Sequence, residues 1–359
     1  MDIAKGMRMI RSIGIPSETK DGERRVVLDP SAVKAAVSAG FDVNVQKGAG
    51  NGAGFSDEIY QRVGAKVVDT AEEVWLSDLV CKVKEPQPSE WQYFREGLHL
   101  FAYLHLAAEP DLARALMASG VEAYAFETLS YPAGLPLLAP MSEVAGRAAA
   151  IMGAYYLASG SGTLLGGSAG VPPAKVVVIG MGVAGTMAAR GARGMDAEVT
   201  GVDIDLHRLY ELTQNGTITA SLASSEMAIG EAVADADLVI GAALVPGAKA
   251  PKLVTREHIE AMKPGSVVVD LAIDQGGCIE TSKPTSLSHP VFVESEVVHY
   301  CVTNVPGQYP RTSARALSAA VIPRLIDLAK DSSSDRLRGA LNVSGGKIVY
   351  KAVAESLGF

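Results

Sequence analysis

Cysteine is scarce in this chain: Cys81, Cys278 and Cys301 are the whole complement, and none stands in CxxC spacing. A disulfide framework and a cysteine-based zinc site are both disfavoured, no metal site is expected, and the apolar neighbours of these residues point to buried thiols in a reducing compartment. Long apolar runs are also lacking. No stretch approaches the roughly 20 residues of a membrane span. The opening MDIAKGMRMIRS is too polar for a signal peptide, so a cytoplasmic, membrane-independent protein is expected. Residues up to about Met9 precede the first strand and read as a frayed extension or an alternative start. A basic stripe is missing as well: 32 Lys and Arg are scattered among 40 Asp and Glu, for a formal net charge of -8. That balance speaks against nucleic acid as a partner. Internal repeats and long low-complexity segments are absent, and residues 330–335, rich in Ser and Asp, read as a mobile loop.

What remains is the composition of a soluble enzyme. The chain has 359 residues, 48% hydrophobic and 20% charged, enough for two domains with well-buried cores. Short strands at residues 12–15, 42–46 and 79–83 alternate with amphipathic helices such as 30–38, which is βαβ spacing. A helix over about 142–157 and a Gly/Ser-rich loop over 159–170 precede a central nucleotide-type unit, and a helical tail follows Pro310. The expected fold is α/β, with two doubly wound, Rossmann-like domains flanking a cleft. Residues 1–138 and 305–359 would form a discontinuous substrate domain, with a nucleotide-binding domain over 139–304 inserted in it.

The strongest local signal is AKVVVIGMGVAGTMAARGARGMDAEVTGVDID. The β-branched run 176–179 suits a strand buried on both faces of a parallel sheet. Gly180 permits a tight turn, Gly182 lets the backbone approach a pyrophosphate, and Gly185 allows close packing of helix on strand, whose N-terminal amides face the phosphates. Asp203 closes the next strand, where a carboxylate accepts hydrogen bonds from a ribose and repels a 2′-phosphate, favouring NAD over NADP.

A nicotinamide cofactor implies hydride transfer, and four segments carry polar chemistry that could hold and deprotonate a substrate. In Glu23-Arg24-Arg25 an arginine could clamp a small carboxylate in two-point fashion, or could be a surface residue. In LVCKVKEP, strand alternation puts Lys82 and Lys84 on one face, as substrate ligands or as protection of an edge strand, with Glu85 a pairing partner. His105 lies in the strand-like, apolar YLHLAA, as a core histidine or a general acid/base. In SVVVDLAIDQGG, Asp274 emerges at a strand end where ligands bind, whereas Asp270, inside the apolar run, suits structural hydrogen bonds.

Colinear motifs extend over almost the whole chain: GIPSETKDGERRV, GAGNGAGFSD, KVKEP, YLHLAAEP, LPLLAPMSEVAGR, VIGAALVPGAKAPKLV, MKPGSVVVDLAIDQGGCIETSKPT and VVHYCVTNVPGQYPRTSARAL. Together they resemble the NAD-dependent L-alanine dehydrogenases of the alanine dehydrogenase and nicotinamide nucleotide transhydrogenase superfamily. The resemblance implies that Arg25 and Lys84 hold the carboxylate and oxo group of the substrate, and that His105 and Asp274 carry the proton chemistry. It also implies cofactor contacts from Ser142, Asp203, Arg208, Ser224 and Asn304, small-molecule substrates (L-alanine, pyruvate and ammonium), and hexameric assembly. The chain departs from the family pattern in Asn304-Val305-Pro306-Gly307 where NMPG is common, in GMGVAG where GGGVVG is frequent, and in Gly201, whose missing side chain would loosen packing beneath an adenosine. Two rival readings are a soluble NAD-binding part of a transhydrogenase and a nucleotide-sensing module without turnover.

Overall fold

The computed structural model describes residues 10–243, 250–332 and 334–358. The expected N-terminal extension, residues 244–249 of VIGAALVPGAKAPKLV, and Ser333 of the serine-rich 330–335 segment lie outside the described residues. The chain forms two compact units, one from residues up to 141 together with those from 307 onward, the other from residues between 142 and 306.

The strands run in chain order as β1 (Ser12–Ile15), β2 (Asp42–Gln46), β3 (Lys66–Val68), β4 (Leu79–Cys81), β5 (His99–Ala102), β6 (Glu122–Ala125), β7 (Lys175–Ile179), β8 (Glu198–Asp203), β9 (Ala220–Ala223), β10 (Leu238–Gly241), β11 (Val267–Asp270), β12 (Val291–Glu294), β13 (Val297–Tyr300), β14 (Leu341–Ser344) and β15 (Lys347–Ile348).

In the first unit the sheet order is β15-β14-β6-β5-β4-β1-β2-β3. The six strands from β6 to β3 are parallel, and β14 joins antiparallel to β6. Both faces are covered, as a parallel sheet requires. Leu79 and Phe101 pack into one core with Leu317, Val321 and Leu325 of the helix Pro310–Lys330, while Val80, Leu100 and Ala102 pack into the other with Leu112 and Leu116 of Pro110–Ser119. Successive strand residues thus serve opposite faces. The returning C-terminal helix is tied to the first β-α turn by Ser318, whose hydroxyl accepts from Asp29 N at 2.7 Å and donates to Val27 O at 3.0 Å.

In the second unit the order is β12-β13-β11-β10-β7-β8-β9, parallel except for β12. The strand order of each sheet reverses beside its first strand: between β1 and β4 in one, between β7 and β10 in the other. In open α/β sheets ligands bind beyond the carboxyl ends of strands at such switch points. Cys81, Cys278 and Cys301 are buried and unbridged. No helix among the described residues is long and apolar enough to cross a membrane.

Candidate active site

In the first unit, three of the sequence-selected residues lie in the segments that leave the carboxyl ends of neighbouring strands: Lys84 three residues after β4, His105 three after β5, and Arg25 in the longer loop after β1, ten residues past its end. Arg25 is buried, and Glu23 takes its guanidinium in a fork, with Nε–Oε1 at 2.7 Å and Nη2–Oε2 at 2.5 Å, while Nη1 lies 3.1 Å from Met141 Sδ. Burial alone would lower the arginine pKa, but the hydrogen bonds and charge of Glu23 outweigh it and the pKa is raised. Arg25 is therefore a fixed, fully charged donor.

Strand alternation does not place the two lysines on one face, because β4 ends at Cys81 and both follow it. Lys82 is buried in a structural pair, with Nζ at 2.9 and 2.7 Å from the Glu90 oxygens and 3.6 Å from Glu18 Oε2. Lys84 Nζ lies 3.8 Å from Glu85 Oε2. The other oxygen of Glu85 is bonded by Lys20, and Oε2 itself has no hydrogen-bond partner among the described residues. Burial pushes Glu85 up, but Lys84, Lys20 and His105 together hold it below the ordinary carboxylate value.

His105 also departs from the strand-like reading. β5 ends at Ala102, and His105 sits in a turn at φ +49°, its ring stacked on Tyr103 with centroids 5.9 Å apart and planes at 16°. The Tyr103 hydroxyl donates to Leu137 O at 2.5 Å, which anchors that platform. Arg25, Tyr103, His105, Glu85 and Lys84 thus form one cluster within the first unit, coupled by charge and stacking.

Sequence reasoning missed Glu18, three residues past β1. Its carboxylate accepts from Val83 N at 2.5 Å and Lys84 N at 3.2 Å, so it holds the backbone that carries Lys84. Burial raises its pKa to about 7; Lys82 opposes the rise, Glu23 adds to it, the Val83 amide opposes it and Glu90 adds to it. The only available signal was position, a carboxylate at a strand end beside the switch point.

A stability prediction follows. A carboxyl whose folded pKa is raised stabilises the fold in full below its ordinary value of 4.5, and that contribution is lost as pH rises through about 7. Glu18→Gln removes the titration. Its unfolding midpoint is expected to fall less between pH 5 and pH 8 than that of the wild type, as paired thermal melts would measure.

In the second unit the glycine loop follows β7. Gly180 has φ +88°, and a Cβ there would stand 2.7 Å from the Ala243 backbone; a Cβ on Gly185 would stand 1.9 Å from Gly180 O. Among the described residues a Cβ on Gly182 would meet nothing within 4 Å, and no side chain caps the helix Val183–Arg193 that it opens. Open space before an uncapped helix N-terminus fits a pyrophosphate. Asp203 Oδ2 accepts from Met181 N at 2.5 Å and Oδ1 from Asp205 N at 2.9 Å. Arg208 Nη1 donates to Met181 O at 3.1 Å, and Ser224 N to Asp203 O at 3.0 Å. The residues expected around an adenosine and pyrophosphate therefore gather on the glycine loop. Ser142 is half-buried in the helix Ala139–Ser159, one turn before Gly146, where that helix packs against Ala184.

Gly201 does not loosen the packing as its sequence suggested. Ile218 Cδ1 and Met181 Sδ occupy the space, at 3.0 and 3.1 Å from where a Cβ would stand.

Asp270 and Asp274 separate as their surroundings implied. Buried Asp270 accepts from the backbone of Ala272 at 3.0 Å, Cys278 at 3.3 Å and Ile279 at 3.1 Å, which closes the turn after β11. Asp274 is exposed in the short 3-10 turn Ile273–Gln275, and its Oδ2 accepts from Asn304 N at 3.4 Å. The loops after β11 and β13 thereby bring Asp274 and Asn304 together.

The cradle can be tested directly. Gly182 has extended dihedrals and, among the described residues, an empty Cβ direction, so Gly182→Val is expected to lower the unfolding midpoint only by the small cost of a poorer helix cap. It should weaken NADH binding by at least about tenfold, some 1.4 kcal/mol. Gly185→Ala is expected to lower the midpoint further, by its clash with Gly180 O. Calorimetric titration and melts on both variants measure this contrast.

A glycine cradle with its strand-end acid in one α/β unit, and a cluster of Arg25, Lys84, His105 and their carboxylate partners at the switch point of the other, define a dinucleotide-dependent oxidoreductase. Residues 14–145 match the model of the alanine dehydrogenase/PNT N-terminal domain, and residues 149–351 that of its C-terminal domain. The chain belongs to the alanine dehydrogenase/PNT family. It is 48% identical to an alanine dehydrogenase of Bacillus subtilis over 97% of this chain and 95% of that protein. A solved L-alanine dehydrogenase superposes with a TM-score of 0.91 at 44% identity, covering 97% of this chain and 99% of that one. A transhydrogenase from Sinorhizobium meliloti superposes less closely, with a TM-score of 0.83 at 29% identity over 95% of this chain and 100% of the other.

Proposed function

We propose that this protein catalyses the reversible oxidative deamination of L-alanine: L-alanine, NAD and water give pyruvate, ammonium, NADH and a proton. The observation that carries the reading is the convergence of Arg25, Lys84 and His105 on the carboxyl ends of three neighbouring strands, where a small 2-amino or 2-oxo acid can be held by its charge.

Bound NAD supplies the acceptor for the hydride released from the substrate Cα. The glycine cradle, Asp203, Arg208, Ser224 and Ser142 would hold its adenosine and pyrophosphate, and Asn304 would serve its nicotinamide. Arg25 and Lys84 neutralise the substrate carboxylate and fix the amino- or oxo-bearing carbon, since a small acid held at one point would not keep a reactive orientation. Loss of one proton from the substrate ammonium and of the hydride from Cα leaves the iminium of pyruvate. Water then adds to the iminium carbon, and His105 and Asp274 divide the proton work, taking a proton from that water and giving one to the departing amine. The Asp203 carboxylate, anchored at the loop, favours ribose hydroxyls over a 2′-phosphate. We also propose the family's homohexamer as its assembly and the cytoplasm as its location; the unbridged thiols suit a reducing compartment.

The transhydrogenase reading would leave Arg25, Lys84, His105 and Asp274 without a task, and so would a nucleotide-sensing module. The deciding assay supplies pyruvate and ammonium with NADH or NADPH and follows nicotinamide absorbance. Oxidation that needs both pyruvate and ammonium and prefers NADH is expected. Preference for NADPH would contradict the role of Asp203, and NADH-induced thermal stabilisation without turnover on any amino or oxo acid would favour the sensor. Light scattering on the purified protein tests the hexamer.

A further inference from the structure

β5 and β6 are parallel neighbours in register, Ala102 opposite Ala125, so the turns that leave their carboxyl ends lie side by side. The first turn carries Leu104 and His105, and the second, the 3-10 turn Phe126–Thr128, carries Glu127. The Glu127 carboxylate accepts from His105 N at 2.7 Å, and both of its oxygens lie 3.3 Å from Leu104 N. Two consecutive amides thus point at one side chain, leaving the sheet to meet a single anionic acceptor. The backbone they belong to is unusual: His105 has φ +49°, a conformation seldom taken by a residue with a Cβ. Its carbonyl closes the turn by accepting from Ala108 N at 2.8 Å. Such a conformation persists only where its surroundings over-determine it, and here the charge-assisted bonds to Glu127 do so.

We propose that Glu127 is a positioning residue for His105. It holds the main chain in the left-handed turn that lays the imidazole on Tyr103, next to Glu85 and Lys84, and this rests on the reading of His105 as a proton-transfer group. Glu127 touches no reacting atom in this account. Its effect passes through His105 alone.

The test is a double-mutant comparison of Glu127→Ala and Glu127→Gln, each made in the wild type and in His105→Ala. In the wild-type background Glu127→Ala is expected to lower kcat by the order of tenfold to a hundredfold, the scale of a small misplacement of a catalytic group. The pyruvate KM and NADH affinity should stay within about twofold. Glu127→Gln keeps one acceptor oxygen and should fall between the two. On the His105→Ala background both changes should alter kcat by less than about twofold, because the residue being positioned is gone. Should Glu127→Ala fail to fold, Glu127→Gln carries the same comparison. Wild-type kcat in both Glu127 variants, or an equal loss on either background, would overturn the proposal. Full turnover by His105→Ala alone would instead overturn the role given to His105.

Discussion

Asp274→Asn is expected to lower kcat by about 10²- to 10⁴-fold, the range for loss of a general acid/base, while NADH affinity stays near that of the wild type. Asp274 is exposed at the turn after β11, and its Oδ2 accepts a long bond from Asn304 N that an asparagine Oδ1 can still accept. The substitution keeps the shape and removes the proton acceptor. Asp270→Asn should behave differently, because that carboxylate accepts three backbone amides and its loss disturbs the turn itself. A lowered melting temperature in Asp270→Asn, set against a lowered kcat with an unchanged melting temperature in Asp274→Asn, would separate a structural acid from a chemical one. Normal turnover in Asp274→Asn would remove it from the proposed chemistry.

The second large effect concerns Arg25. Arg25→Ala leaves the buried Glu23 carboxylate without its fork, and breaking a buried ion pair from one side costs about 3–5 kcal/mol. A lowered melting temperature is therefore expected, together with a pyruvate KM raised by at least about tenfold, some 1.4 kcal/mol of binding. Arg25→Lys restores the charge but not the two-point geometry, so it should recover more of the stability than of the pyruvate affinity. Pyruvate KM unchanged in Arg25→Lys would confine Arg25 to a structural pair.

These residues differ in how far their sequence surroundings disclosed them. The glycine loop was legible because its requirements are local: Gly180 needs positive φ, Gly185 needs closeness to Gly180 O, and Gly182 needs an empty Cβ direction, all within six residues. The distinction between Asp270 and Asp274 was legible for a related reason, since an acid inside a buried strand must find backbone donors. Lys82 and Lys84 were not separable by alternation, because β4 stops at Cys81 and the partners that separate them, Glu90, Glu18 and Glu85, belong to turns rather than to the strand. The positive φ of His105 was hidden inside an apolar run that reads as strand. Glu18 and Glu127 were hidden most fully, since each acts on backbone amides brought near only by the sheet order: Glu18 on a segment 65 residues away, Glu127 on one 22 away. Gly201 misled because an absent side chain says nothing of the Ile218 and Met181 atoms that fill its place.

The central claim is that the acid held by Arg25 and Lys84 and the nicotinamide held by the glycine-loop unit react directly with each other. The measurement that reaches it is the fate of deuterium from NADH labelled at nicotinamide C4 on one face, incubated with pyruvate and ammonium and analysed by mass spectrometry and proton NMR. The account predicts L-alanine carrying the label at C2 from one of the two labelled faces and none from the other, without dilution by solvent protons. Label washed out into water, or NADH consumed with no labelled alanine formed, would contradict it.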